Sequence, residues 1–351
     1  MDKITRIFID TSKNVFQLHG VNQAEEVVLR RQLPRSKMAP FFSKLPPTVI
    51  AMEACGGAHH WARVLRALGH EVKLIAPQLV KPYVKRGKND LTDAAGGCEA
   101  MSRPTMRFVP VKTVEQQAAL MLAGVREAVV KERTQLSNMI RGYAAEFGVV
   151  APKGLCAIEP LLVEIAEDTS HPALMREVFA GLGEQYAQLR AKFEAIDAKL
   201  LAWHKANQLS RALTEIPGVG PIGGSLLVMK TPDPHAFKSG RQYAAWLGLT
   251  PKDHSTAGKA RAGAITRAGD ETLRSVLVVG ATSVVKMAQQ NRGPGASPWL
   301  VELLKRKTPK QAAVALANKI ARIAWTMMAT GELYDAKRMQ AAPAAIAATA
   351  A

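Results

Sequence analysis

Acidic side chains are scarce in this chain: 29 Asp and Glu stand against 47 Lys and Arg, a formal net charge of +18. A surplus of that size costs self-repulsion, and its usual reason is a polyanionic partner, which points to nucleic acid. Cysteine is nearly absent. Cys55, Cys98 and Cys156 lie far apart and match neither a zinc spacing nor a disulfide framework, which fits a reducing cytoplasm. Long apolar runs are missing too. No stretch approaches the ~18 apolar residues of a membrane span, and the early charges do not read as a signal peptide, so no membrane partner is expected. What the chain has in quantity is core: 48% of its 351 residues are hydrophobic, enough for two or three domains and too many for a disordered protein.

Three regions follow one another. Up to about residue 107, strands and helices alternate. RIFIDTS reads as a strand, SKN as a turn, VFQLHGV as the hairpin partner and EEVVLRRQL as a third strand. SKMAPFFSKL is a short helix, TVIAMEA a buried strand, HHWARVLRALG an amphipathic helix closed by Gly69, EVKLIA a further strand, and NDLTDAAGGCEAMSR a helix. This order predicts an α/β domain, a mixed sheet with helices on its faces. From roughly 108 to 205 the pattern is helical with a seam. Phe179, Leu182, Tyr186, Leu189, Phe193, Ile196, Leu200 and Trp203 keep a 3-4 spacing, and Leu122, Val125, Val129, Leu136, Met139 and Tyr143 keep a similar one. Two such seams predict a coiled coil, paired within the chain or between chains, although two amphipathic helices on a core would also satisfy the pattern. The stretch between them, with Pro152, Gly154, Pro160 and Pro172, reads as a loop.

From 206 to 335 the chain is mainly helical and rich in glycine. LTEIPGVGPIGGSLLVM has the form of a helix-hairpin-helix, whose turn amides at Gly218 and Gly220 and following helix N-terminus suit a DNA phosphate without reading sequence. Glycine turns between helices also occur for packing alone. After 335 the Ala-rich residues 336–351 read as a disordered tail.

The acids are few, and their placement is the informative part. IFIDTSKN ends an apolar strand on Asp10, and TVIAMEACGG ends another on Glu53. KNDLTDAA puts Asp90 and Asp93 three apart on the first turn of a helix, so both point the same way. Each has an ordinary reading: Asp10 as a cap of the SKN turn, Glu53 as the partner of a local Arg, Asp90 as an N-cap and Asp93 as a dipole-favouring residue. Together they form a set of carboxylates that cannot all remain ionised side by side unless a cation such as Mg²⁺ joins them. Two strand ends and a helix is the carboxylate arrangement of the ribonuclease-H-like fold, which carries out two-metal phosphodiester chemistry. His59 and His60 are adjacent on a helix, point in different directions and are read as helix-start residues rather than zinc ligands.

A second group of residues lies late in the chain. In KDHSTAGKARAGAITRAG, Ser255 and Thr256 sit beside Ala257 and Gly258, with Lys259, Arg261 and Arg267 following and no carboxylate from His254 to Gly269. The cations suit phosphate oxygens and developing negative charge, whereas a hydroxyl is a weak nucleophile until activated. Residue chemistry alone favours a phosphate-contacting loop here.

The blocks IFIDTSKN, AMEACGG and KNDLTDAA, followed by EIPGVGPIGGSLLVM and FKSGRQYAAWLGLTPKDHSTAGKARAGAITRAGDETLR, resemble the DEDD transposases of insertion sequences. That family is related to the pilin-gene-inverting recombinase Piv. The likeness runs to about residue 335, and the order of the two halves makes it specific. It implies a RuvC-like DEDD catalytic domain over 1–107, a coiled-coil region over 108–205 and a C-terminal transposase domain over 206–335. It further implies that Asp10, Glu53, Asp90 and Asp93 bind Mg²⁺ (or Mn²⁺), and that Ser255 is a nucleophile forming a covalent phosphoserine link to DNA. Ala257 replaces the first glycine of the family's Ser-x-Gly-Gly-like motif, and Thr256 is the rival hydroxyl. Also implied are donor and target DNA, a noncoding bridge RNA, a homo-oligomer (dimer or tetramer) with composite active sites, and a bacterial cytoplasm. Two other functions share some of these residues: a RuvC-like hydrolytic junction nuclease using the acids alone, and a non-catalytic nucleic-acid-binding scaffold.

Overall fold

Ile7, Phe8 and Ile9 are fully buried at the centre of β1 (Arg6–Asp10), and the rest of the sheet is built around them. In this computed structural model the described residues are 4–84, 90–255, 261–290 and 297–337, the side chains of Asp90, Leu91 and Ala262 not among them. They form two units, Met1–Gln117 and Ala118–Ala351.

In the first unit β1 pairs antiparallel with β2 (Val15–Val21), and β2 antiparallel with β3 (Val27–Pro34). The Ser12 hydroxyl holds the intervening SKN turn, accepting from the Val15 amide at 3.2 Å. After the short α1 (Met38–Phe42), β4 (Val49–Glu53) lies parallel to β1. Next come α2 (Ala58–Ala67), β5 (Glu71–Ile75) parallel to β4, α3 (Pro77–Val80), α4 (Asp90–Ala100) and β6 (Phe108–Val109) antiparallel to β5. The six-stranded sheet has the order β3-β2-β1-β4-β5-β6. Successive side chains of a strand point to opposite faces, and both faces are covered here. Ile7, Ile9, Ile50 and Met52 pack with Trp61, Ala62 and Leu65 of α2, whereas Phe8, Ala51 and Ile75 pack with Ala94 and Cys98 of α4. This explains why the strands read as unbroken apolar runs.

α4 can approach the sheet only because its inner face is bare. A Cβ on Gly97 would fall 2.2 Å from the Phe8 ring, and one on Gly96 would fall 2.9 Å from the Tyr83 carbonyl oxygen.

Among the described residues the second unit is helical apart from one two-stranded hairpin. α5 (Val114–Glu146) begins in the last residues of the first unit and continues here, followed by α6 (Ile158–Glu167) and α7 (Ala173–Ala206). α6 lies where proline spacing predicts a loop. Its Pro160 sits in the first turn, where a helix needs no amide hydrogen, and Ile158, Leu161 and Ile165 are buried against α5 and α7. The two long helices pair within the chain, and the predicted seam needs correcting in α5. Val125, Met139 and Tyr143 are exposed, while Ile140 and Ala144 are buried beside Leu136. A straight helix advances by 3.6 residues, so its buried stripe drifts away from a 3.5-residue heptad within two or three turns. Phe193 of the α7 seam meets cations instead of an apolar partner, with the Arg133 guanidinium 4.1 Å and that of Arg126 5.3 Å from its ring centre. Arg126 also pairs with Asp197 at 2.6 Å.

The remaining helices are α8 (Gln208–Leu213), α9 (Pro221–Lys230), α10 (Gly240–Trp246), α11 (Glu271–Gln289), α12 (Pro298–Arg306) and α13 (Pro309–Thr330). Between α10 and α11, β7 (Pro251–Asp253) pairs antiparallel with β8 (Ala262–Ile265). α13 is the core element, burying Ala313, Leu316, Ala317, Ile320, Ala324 and Met327. Its N-terminus carries a capping box between Thr308 and Gln311. All three cysteines are free thiols. No helix among the described residues is long and apolar enough to cross a membrane. From residue 338 onward the Ala-rich tail lies outside the described residues.

Candidate active-site groups

Asp10 and Glu53 are the last residues of two neighbouring parallel strands whose register aligns Ile9 with Met52, so the two carboxylates emerge at the same edge of the sheet. The Thr11 hydroxyl and the Cys55 thiol, 2.9 Å apart, tie the chain together just beyond them. α4 lies on the face of the sheet that carries Phe8 and brings Asp93 to this edge. All three acids are half-buried. Burial pushes the Glu53 carboxyl above its ordinary value, and the charges of Asp10 and Asp93 push it further in the same direction. Thus the structure brings Asp10, Glu53 and Asp93 within electrostatic reach of one another. Among the described residues no Lys or Arg pairs with Glu53. Asp90 starts α4, and its side chain lies outside the described residues. Among the described residues no three His, Cys, Asp or Glu side chains are grouped closely enough to hold a metal ion.

One neighbour was not anticipated. Gln17 stands opposite Asp10 in the β1–β2 register, is buried, and leaves its side-chain oxygen without a hydrogen-bond partner. His59 and His60 occupy the first turn of α2, as expected. Both ring nitrogens of His59 face Lys112, at 3.3 Å from its amide and 2.8 Å from its Nζ. Burial and the charges of Lys112 and Arg63 hold the imidazole down at about 4, so it is neutral near pH 7.

The second group sits on the hairpin. Where the sequence suggested an irregular loop, β7 and β8 place Ser255 just past the end of β7, with His254 donating its amide to the Arg261 carbonyl at 2.9 Å. Ser255 is exposed and fixed on two sides. Its amide donates to Asp253 Oδ1 at 2.8 Å, and its Oγ accepts from the Arg261 amide at 3.0 Å. Hydrogen bonds from the Ser255 side chain and amide hold the Asp253 carboxyl below its ordinary range. Asp253 lies one residue outside the cationic stretch, where charge pattern gives no sign of it. The spacing D-x-S, typical of an aspartate bonding the backbone two residues on, was the available signal. Arg261 and Arg267 are both exposed, and Arg267 adopts φ 57° with its amide donating to the Gly248 carbonyl at 3.2 Å. Thr256 and Lys259 lie outside the described residues.

The glycine turn joins α8, only six residues long, to α9. Gly218 has φ +92°, and a Cβ there would fall 3.1 Å from the Gly280 carbonyl on α11; a Cβ on Gly280 would fall 1.8 Å from the Gly218 oxygen. Gly218 is therefore demanded by backbone shape and helix packing. Gly220 has nothing within 4 Å of its missing side chain and precedes Pro221 at the first position of α9.

Comparison with known proteins brings both halves into one family. The profile described as the IS116/IS110/IS902 transposase family matches residues 210–294, and a second, the DEDD transposase profile of IS110 elements, matches 8–147. A putative transposase, y4pF/y4sB, of Sinorhizobium fredii is 62% identical over 97% of this chain and 88% of its own length. A probable family 20 transposase of Pseudomonas aeruginosa is 45% identical over 94% of this chain and 98% of its own. The transposase for insertion sequence element IS1111A of Coxiella burnetii is 37% identical over 95% and 92%. Likeness of this extent, spanning the strand-end acids and the serine hairpin alike, makes the chain a member of the IS110 family of transposases, enzymes that recombine DNA.

Proposed function

We propose that this transposase cuts and rejoins DNA strands with Ser255 as the attacking group, the strand-end acids Asp10, Glu53, Asp90 and Asp93 acting on the same phosphate. On this reading residues 1–107 are a RuvC-like catalytic domain and 206–335 carry the nucleophile. The observation that carries it is the position of Glu53: its carboxyl is pushed up by burial and by the charges of Asp10 and Asp93 at one sheet edge. Acids held together against their own repulsion suit a divalent cation. The donors are all oxygens, with the unpartnered Gln17 oxygen beside them, and this set fits Mg²⁺ or Mn²⁺. When bound, such an ion supplies charge that polarises a phosphate oxygen.

Ser255 suits the nucleophile's role because it is exposed, held by two backbone contacts, and followed by the exposed cations Arg261 and Arg267. Those arginines, together with Lys259, would hold phosphate oxygens. Gly220, open at the start of α9, would offer its end of the turn to the DNA backbone. The charge of +18 accommodates a noncoding guide RNA in addition to donor and target DNA. We place the enzyme in a homo-oligomer whose copies supply the acids and the serine to each other.

The test is to trap the protein on a plasmid carrying the complete insertion sequence, using protein purified with its copurifying RNA. A DNA-linked species that disappears in Ser255→Ala and in Asp10→Asn supports the reading. Free ends with an active Ser255→Ala point instead to hydrolysis by metal-bound water. Joining that survives Asp10→Asn reduces the acids to scaffold, and joining that survives RNase removes the guide.

A further inference from the structure

We propose that Asp253 is the catalytic base of this transposase, the group that takes the proton from Ser255 as its oxygen attacks the DNA phosphate. The inference rests on the reading of Ser255 as nucleophile and adds the residue that activates it. A serine hydroxyl is a poor nucleophile until a neighbouring group removes its proton, so a serine enzyme needs an acceptor within hydrogen-bond reach. Among the described residues the one carboxylate in contact with Ser255 is Asp253, two positions earlier at the end of β7.

One lone pair of the Ser255 Oγ accepts the Arg261 amide at 3.0 Å. The Ser255 side chain also hydrogen-bonds the Asp253 carboxylate, whose Oδ1 holds the Ser255 amide at 2.8 Å. The second lone pair is left for phosphorus, on an exposed surface flanked by Arg261. Because the two ends of the hairpin are joined by the His254–Arg261 backbone bond, the hydroxyl, its acceptor and the arginine move as one piece. Held low by these same hydrogen bonds, the Asp253 carboxylate is ionised throughout the neutral range and ready to accept.

The step balances. The Oγ–P bond forms, the bond from phosphorus to the leaving sugar oxygen breaks, the Oγ proton passes to Asp253, and the leaving oxygen takes a proton from water. Resealing the strand runs the same transfers backwards, with Asp253 returning the proton to Oγ.

The experiment measures the rate at which the full-length protein, with its copurifying RNA, becomes covalently attached to a plasmid carrying the complete insertion sequence, read on denaturing gels from pH 6 to 9. DNA binding is measured in parallel by retardation. General-base assistance contributes about 10²–10⁴-fold, so Asp253→Asn and Asp253→Ala should attach at least about 100-fold more slowly with binding unchanged, and Asp253→Glu should recover part of the rate. In Asp253→Asn the residual rate should climb about tenfold per pH unit, because hydroxide then removes the proton, while the wild type stays flat. An Asp253→Asn protein with wild-type rate and a flat profile overturns the inference, because an amide oxygen can hold the Ser255 amide but cannot take its proton. Ser255→Ala separates the two claims. Attachment persisting in Ser255→Ala sinks the nucleophile itself, whereas attachment lost there and unimpaired in Asp253→Asn sinks the base alone.

Discussion

Replacing Gly97 with alanine tests whether the close seat of α4 on the sheet holds the acids together. Gly97 lies inside a helix, where alanine is normally the better residue by about 1 kcal/mol. Here the new methyl would meet the Phe8 ring at 2.2 Å. Carbon atoms in contact sit about 3.5–4.0 Å apart, so roughly 1.5 Å must be found. Phe8 is enclosed between strand and helix and cannot swing away, so α4 has to move. Overpacking of this kind costs about 1–3 kcal/mol, and after the gain in helix propensity the net expectation is a loss of up to about 2 kcal/mol. With the acids acting as proposed above, catalysis should suffer more than stability, because Asp93 rides on α4 and a displacement near 1 Å can cost about 100-fold in rate. Urea unfolding followed by circular dichroism, with amide exchange read on α4, gives the first quantity, and plasmid recombination gives the second. Gly142 on α5 is the control: nothing lies within 4 Å of its missing side chain, so Gly142→Ala should stabilise by about 1 kcal/mol. If Gly97→Ala behaves like Gly142→Ala, stabilised and fully active, the close seat is irrelevant and the reasoning fails.

Two further expectations concern charge and capping. Glu53 keeps its proton to higher pH in the folded chain than in the unfolded one, so its ionisation weakens the fold; that penalty is absent below the ordinary value of 4.5 and grows as pH rises through the folded value. Glu53→Gln should therefore match the wild type in thermal midpoint near pH 4, exceed it at pH 7 without divalent ions, and lose that lead when Mg²⁺ is added; a pH-independent difference would contradict the cause assigned to the shift. Thr308→Ala removes the capping box at the head of α13 and should cost about 1 kcal/mol in urea unfolding, with Thr308→Ser close to wild type; no change would mean that packing alone sets the start of that helix.

Elements with a strong local pattern could be read directly from residues. The β1–β2 hairpin, the β4 strand ending on Glu53 and α2 from the His pair to Gly69 lie where alternation and spacing put them, because each buries a continuous apolar surface of its own. What escaped depended on partners distant in sequence. α6 is built around a proline and owes its existence to burial against α5 and α7. The α5 stripe slid from Met139 and Tyr143 to Ile140 and Ala144 because the helix runs at its natural pitch. The β7–β8 hairpin is held by main-chain bonds that leave no trace in side-chain periodicity, and Asp253 escaped along with it. For the acids, strand-end position was legible, but their electrostatic coupling was not, since that depends on the glycines that let α4 come close.

The contact between Gly218 and Gly280 has a consequence for which positions of the turn can change. Main chain lies against main chain there, with no side chain on either partner, so the turn is anchored as rigidly as covalent geometry and van der Waals radii allow. A side chain at Gly280 would run into the Gly218 oxygen, and one at Gly218 would be strained by its φ of +92°. Gly220, two residues on, has nothing within 4 Å of its missing side chain, so the room for change in this turn lies on that open flank and not at the anchor.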